Sequence, residues 1–291
     1  MPIYKRTYRR FDGRAVGRFR WLIMMKQELR VLADFKIFKA LVLLASLHVL
    51  FRFLQVLAYD VIAQDPNNPL TPFLLQATAL MVNERMFFDF IRIQTPLMFI
   101  MLLFAGSGMV CNDFRNNLME VYFSKPLTWR DYLLGKCLAL VTLGLSVTAL
   151  PAVGLLLLHN LLMPGWDNLM DGLAWGAAAL GFSLVIVVPS ALAILASSAL
   201  IRSQGFAAVA IFMLLLAESS IAAILAEMLR NRDYLVISFP MALNRIGQEF
   251  FGDTRLLFDL RWEWSMLYVT LFCLGCVAVV AAKVRRAEVA A

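Results

Sequence analysis

Six runs of apolar residues constrain this chain more than any other feature. They fall near 36–59, 94–112, 133–160, 173–200, 205–228 and 263–283, and each is long enough to cross about 30 Å of hydrocarbon as a helix. Lipid offers the backbone no hydrogen bonds, so each run must satisfy its own amides, as an α-helix does. Composition agrees: 61% of residues are hydrophobic and 16% are charged, against roughly 45–50% and about 25% in a soluble domain. The expected fold is all-α and polytopic. It has a basic N-terminal segment over 1–35, six transmembrane helices over 36–283 and a short tail over 284–291.

Charge sets the expected orientation. Nineteen of the 27 Lys and Arg lie in the N-terminal segment through Lys39, the 112–136 connection, the 201–204 turn and the tail. Seven lie in the other connections, and Arg52 sits inside span one. The rich side reads as cytoplasmic, with both termini inside. The net charge of +7 clusters beside the spans, which points to the membrane rather than to nucleic acid. The first 35 residues lack the apolar run of a signal peptide. Cys111, Cys137, Cys273 and Cys276 fall inside spans or at their ends, where they read as small packing residues.

Flanking segments carry amphipathic patterns. From Ala15 to Phe35, Phe19, Leu22, Met25, Leu29 and Leu32 recur at helical spacing, with Arg18, Lys26, Gln27 and Arg30 on other faces. This predicts a helix on the inner leaflet, or else a soluble start to span one. Residues 60–93 form an outer loop with a helix start at Thr71-Pro72. Residues 229–262 carry FPMALNRIGQEFF from Phe239 to Phe251, an extracytoplasmic helical insert that either rests on the surface or re-enters the membrane.

The polar island from Cys111 to Cys137, CNDFRNNLMEVYFSKPLTWRDYLLGKC, is too patterned for a plain loop. Asn112 or Asp113 can cap a short helix striped by Leu118, Val121 and Tyr122, with Arg115, Asn116 and Glu120 polar. Lys125-Pro126 forces extended backbone. Thr128 then caps the next helix, with Asp131 three residues on, a capping box using Asp. Phe123, Leu127 and Trp129 would sit near the tip of the knob. Gly135-Lys136 is not a P-loop, because Cys137 follows and no GxxxxGK[ST] frame precedes it. With His48 and His159 the only histidines, and no HExxH or GxSxG, the chain offers no catalytic or zinc motif of its own.

This order resembles the membrane subunits of ABC transporters of the type-two exporter class. The matching residues are Glu120, Ser124, Pro126, Arg130, Gly135 and Lys136, together with the basic amphipathic start, the six spans and the insert between spans five and six. Asn116-Asn117 departs from the commoner Gly-Thr, and Trp129 from a frequent Ser. The resemblance implies a permease dimer, here expected as a homodimer, pressed by two copies of a cytoplasmic ATPase that bind ATP and Mg; this chain binds no cofactor and is not itself an enzyme. The coupling helix between spans two and three would meet the ATPase through Glu120, Tyr122, Phe123, Lys125, Pro126, Trp129 and Arg130. The expected function is outward movement of a lipid, glycolipid, peptide or drug across a bacterial inner membrane. One rival is a permease that drives a periplasmic partner. The other is an ATP-independent carrier, which would more usually show inverted repeats.

Charges inside spans are costly and ask for partners. Arg52 and Glu218 lie at similar depth, so they are expected to meet, within one chain or across the dimer, with His48 one turn from Arg52. They mark a candidate substrate path or dimer seam, against a plain structural ion pair or a snorkelling Arg. Pro151 and Pro189 should kink spans three and four, with Ser183, Ser190, Ser197 and Ser198 answering freed carbonyls or letting helices approach.

Overall fold

A computed structural model describes residues 19–63, 68–69, 71, 80–125, 127–252 and 260–290. Helices are α1 (Arg20–Asp34), α2 (Lys36–Ala63), α3 (Glu84–Gly106), α4 (Cys111–Arg115), α5 (Leu118–Phe123), α6 (Trp129–Val147), α7 (Ala149–Leu162), α8 (Trp166–Leu200), α9 (Gln204–Met228), α10 (Phe239–Phe250) and α11 (Trp262–Ala290). Six stretches are long and apolar enough to cross a membrane: Lys36–Ile62, Glu84–Arg115, Trp129–Leu162, Trp166–Leu200, Gln204–Met228 and Trp262–Glu288. The chain is a polytopic helical membrane protein, as the hydropathy pattern implies.

Span two starts ten residues before its apolar run. Residues 84–93 belong to α3 rather than to a loop, and Asn83 caps the helix by accepting the Met86 N–H at 3.1 Å. The charges that mask this start share one face, where Asp89 lies between Arg85 at 3.9 Å and Arg92 at 3.7 Å. The opposite face buries Met86, Phe87, Phe90 and Ile91. The expected helix start at Thr71-Pro72 falls at the edge of the described residues, and 72–79 lie outside them.

Span four is the hub and packs against spans two, three, five and six and against α10. Its serines act as connectors. Ser198 Oγ accepts the N–H groups of Val110 and Cys111, both at 3.1 Å, and Ser197 Oγ donates to the Ala207 carbonyl at 2.7 Å. Ser190 Oγ donates to the Ile186 carbonyl one turn back, beside Pro189. Span three breaks at Thr148, between α6 and α7. Pro151 therefore sits in the first turn of α7, where its missing N–H removes no helical bond.

After Met228 the chain turns through Arg230, at φ 49°, and a 3-10 segment (Arg232–Ile237) runs back along α9. At its end Ser238 Oγ meets Ser219 Oγ at 3.1 Å, and the Phe239 N–H donates to Glu218 at 2.8 Å. Glu218 is ten residues short of the end of α9, a depth of about 15 Å at 1.5 Å per residue. The insert therefore folds back along span five to the level of Glu218 instead of staying at its end.

The insert packs tightly against span four. A Cβ at Gly247 would overlap the Phe182 ring. That ring is buried, stacked on Phe88 at 5.3 Å and edge-on to Phe251 at 6.3 Å, so it has little room to yield. Gly247→Ala is expected to lower stability by about 1–3 kcal/mol, the usual cost of overpacking. Detergent-titrated unfolding in bicelles checks this, and an unchanged midpoint would contradict the packing.

Candidate functional site

The island is two short helices rather than one. Neither Asn112 nor Asp113 caps α4, because Ser198 of span four already accepts the two leading amides. The break between α4 and α5 falls at Asn116-Asn117, where Asn117 adopts φ 55°, ψ 27°. Asn is among the few residues that tolerate this left-handed geometry. Within α5 the buried residue is Met119 and Val121 is exposed, which shifts the expected stripe by part of a turn. The Thr128–Asp131 capping box is present: Thr128 Oγ1 accepts the Asp131 N–H at 3.3 Å and Asp131 Oδ2 accepts the Thr128 N–H at 3.3 Å.

Behind the island sits a buried ionic cluster. Lys136 Nζ lies 2.5 Å from Glu28 Oε1 and 2.8 Å from Asp113 Oδ2, and donates to the Met109 carbonyl at 3.1 Å. Tyr132 donates its hydroxyl to the same Asp113 oxygen at 2.8 Å. Lys136 is 2% exposed and Tyr132 0%. One ammonium thus holds α1, α4 and the turn after α3 to the start of span three, with its donors satisfied as a buried charge requires. Gly135 permits the approach of α1, since a Cβ there would lie 2.6 Å from Met24 Cβ and 3.0 Å from the Trp21 carbonyl.

The expected coupling residues divide into two groups. Tyr122 and Phe123 are half-buried and face inward, their rings 5.9 and 6.5 Å from that of Tyr132. Burial, with Asp113 adding to it, pushes the Tyr122 phenol above its ordinary range. Trp129 is also half-buried, with the Arg130 guanidinium 5.4 Å from its ring centroid and its backbone N–H donating to Glu288 at 3.3 Å. Span six extends to reach this point, so 284–290 continue α11 instead of forming a loose tail. Glu120, Lys125 and Arg130 are exposed. Pro126 lies outside the described residues.

Arg52 and Glu218 do not meet within the chain. Arg52 donates to Gln55 at 2.7 Å, while Glu218 accepts from Phe239 and from the Tyr268 hydroxyl at 3.2 Å. His48 instead pairs with Gln94 at 2.7 Å and stacks on Phe90. A second buried pair, Asp60 and His159 at 2.9 Å, ties the far ends of spans one and three. Up-and-down topology was the available signal, since it puts residue 60 and residue 159 at the same end of the bundle. The chain matches no protein-family model and no curated protein sequence.

Removing the shared cation should leave two carboxylates facing each other. Lys136→Met is expected to cost about 3–5 kcal/mol, as for breaking a buried pair. Adding Asp113→Asn and Glu28→Gln should recover part of that loss in the same unfolding titration; a Lys136→Met loss below about 1 kcal/mol would rule out a structural role. Separately, Glu218→Ala leaves the Phe239 donor unsatisfied, at about 1–3 kcal/mol. Hydrogen exchange over residues 239–245 should quicken about tenfold, and an unchanged rate would mean that Glu218 does not seat the insert.

Proposed function

We propose that this chain is the permease subunit of an ATP-driven transporter of the type-two ABC exporter kind. It would move a hydrophobic or amphipathic substrate outward, powered by a separate ATPase on the island side, taken as cytoplasmic. The observation that carries this reading is the island's construction: a polar, basic outer face on a base locked to spans two, three, four and six and to α1.

A connection that only joins two spans needs no such bracing. A surface that receives force does, because a push is transmitted only if the receiving element cannot yield on its own. Lys136, Ser198 and the contact between Trp129 and Glu288 supply that stiffness. Glu120, Lys125 and Arg130 are the exposed groups for an ATPase to grip. Tyr122, Phe123 and Trp129 act from behind, as packing that fixes the angle of the knob. ATP binding in two ATPase copies would shift a two-state permease by contacting its states unequally. Spans one and five carry the least buried faces of the bundle, with only 17% and 11% of their most apolar windows buried, and so are the surfaces available to a second permease copy.

The test is pull-down of the tagged full chain from its native membrane, followed by assay of ATP hydrolysis and mass spectrometry. An ATPase with a P-loop should copurify. The charge-reversed variant E120K/K125E/R130E should lose at least about tenfold of it, since exposed charge pairs contribute about 0.2–1 kcal/mol each, while remaining inserted and folded. Recovery of the chain without any ATPase, or equal recovery with the variant, would overturn the reading.

A further inference from the structure

A cleft of about 610 Å³ opens on the island side, between α4, the 201–203 turn and the end of span six. Arg115, Arg202 and Lys283 line it, and among the described residues no carboxylate does. Lys136, Arg245, Arg85 and Arg92 each have a carboxylate partner. Among the described residues Arg115 and Arg202 have none, and Lys283 has only the face of the Phe114 ring at 5.5 Å. Three like charges around one cleft repel each other, and an anion placed between them removes that repulsion.

We propose that the cleft binds the phosphate of an anionic phospholipid headgroup. Its height fits a headgroup: span two ends at Arg115, span four at Leu200 and span five begins at Gln204, so the cleft lies at the rim of the apolar layer. One wall is Leu200, 65% exposed, with Phe206 nearby in sequence at 74%; both are suited to acyl chain and unneeded by a free ion. Ser203, which lines the cleft at the start of α9, makes no side-chain cap there. Basic recesses between spans at a membrane rim are a recurrent means of holding anionic headgroups. The bound lipid would bridge the island, the turn between spans four and five, and span six. This assignment does not depend on transport.

The probe is a photoactivatable phosphatidylglycerol in phosphatidylcholine nanodiscs holding the full chain, with labelled peptides identified by mass spectrometry. Peptides covering 111–115 and 198–203 should label preferentially over those from a photoactivatable phosphatidylcholine. The variant R115Q/R202Q/K283Q should lower that labelling about tenfold or more, whereas K26Q/R30Q/K39Q, which removes equal charge elsewhere, should not. Millimolar inorganic phosphate should leave the labelling in place. Equal labelling by both lipids in the unmodified chain, equal loss in both variants, or displacement by phosphate or by polyglutamate would each overturn the proposal.

Discussion

The arrangement depends on one buried ammonium. Lys136 enters the protein at the start of span three, where leaving it unpaired would cost far more than a surface charge. Its demand for partners draws in Asp113 from the far side of a broken helix, Glu28 from a helix on another segment and the Met109 carbonyl. Meeting that demand fixes where α1 crosses span three and where the island sits. Tyr132 completes the set through Asp113, and the rings of Tyr122 and Phe123 pack on it.

Away from the island, polar contacts again decide how apolar helices are placed. Greasy surfaces gain little from packing in lipid, so close approach and hydrogen bonds set the register. Ser197 and Ser198 tie span four to spans five and two, and Glu218 seats the insert helix by taking its first free amide. The Asp60–His159 pair closes the opposite end. On the proposed function, an outward-facing opening at that end would have to separate spans one and three or carry the pair as a unit.

How much of this was legible in the sequence follows from range. Hydropathy located all six spans, because helix length and apolarity are local properties. It missed the first ten residues of span two, where Arg85, Asp89 and Arg92 gather on one face and lower the window average. The Thr128–Asp131 box was readable, being a contact between neighbours in sequence. The sequence offers Asn112 and Asp113 as caps, but Ser198, 87 residues from Cys111, takes the leading amides and leaves Asp113 for Lys136. For Arg52 and Glu218 the sequence carries only a shared depth. Depth does not say which way a side chain faces, and within the chain each found a nearer partner. The break in span three lies at Thr148, just ahead of Pro151, as the missing N–H of proline dictates.

The central claim is that the island and span three move as one body. Spin labels on the full chain, together with the ATPase that the proposed function expects to copurify, test it directly. One pair joins exposed Glu120 to Leu161 at the far end of span three, and the other joins Glu120 to Met228 at the far end of span five; Leu161 and Met228 are 79% and 76% exposed. Addition of ATP should leave the first distance unchanged and shift the second. A shift in the first with the second constant would mean that the island flexes alone, and that Lys136 does not transmit force.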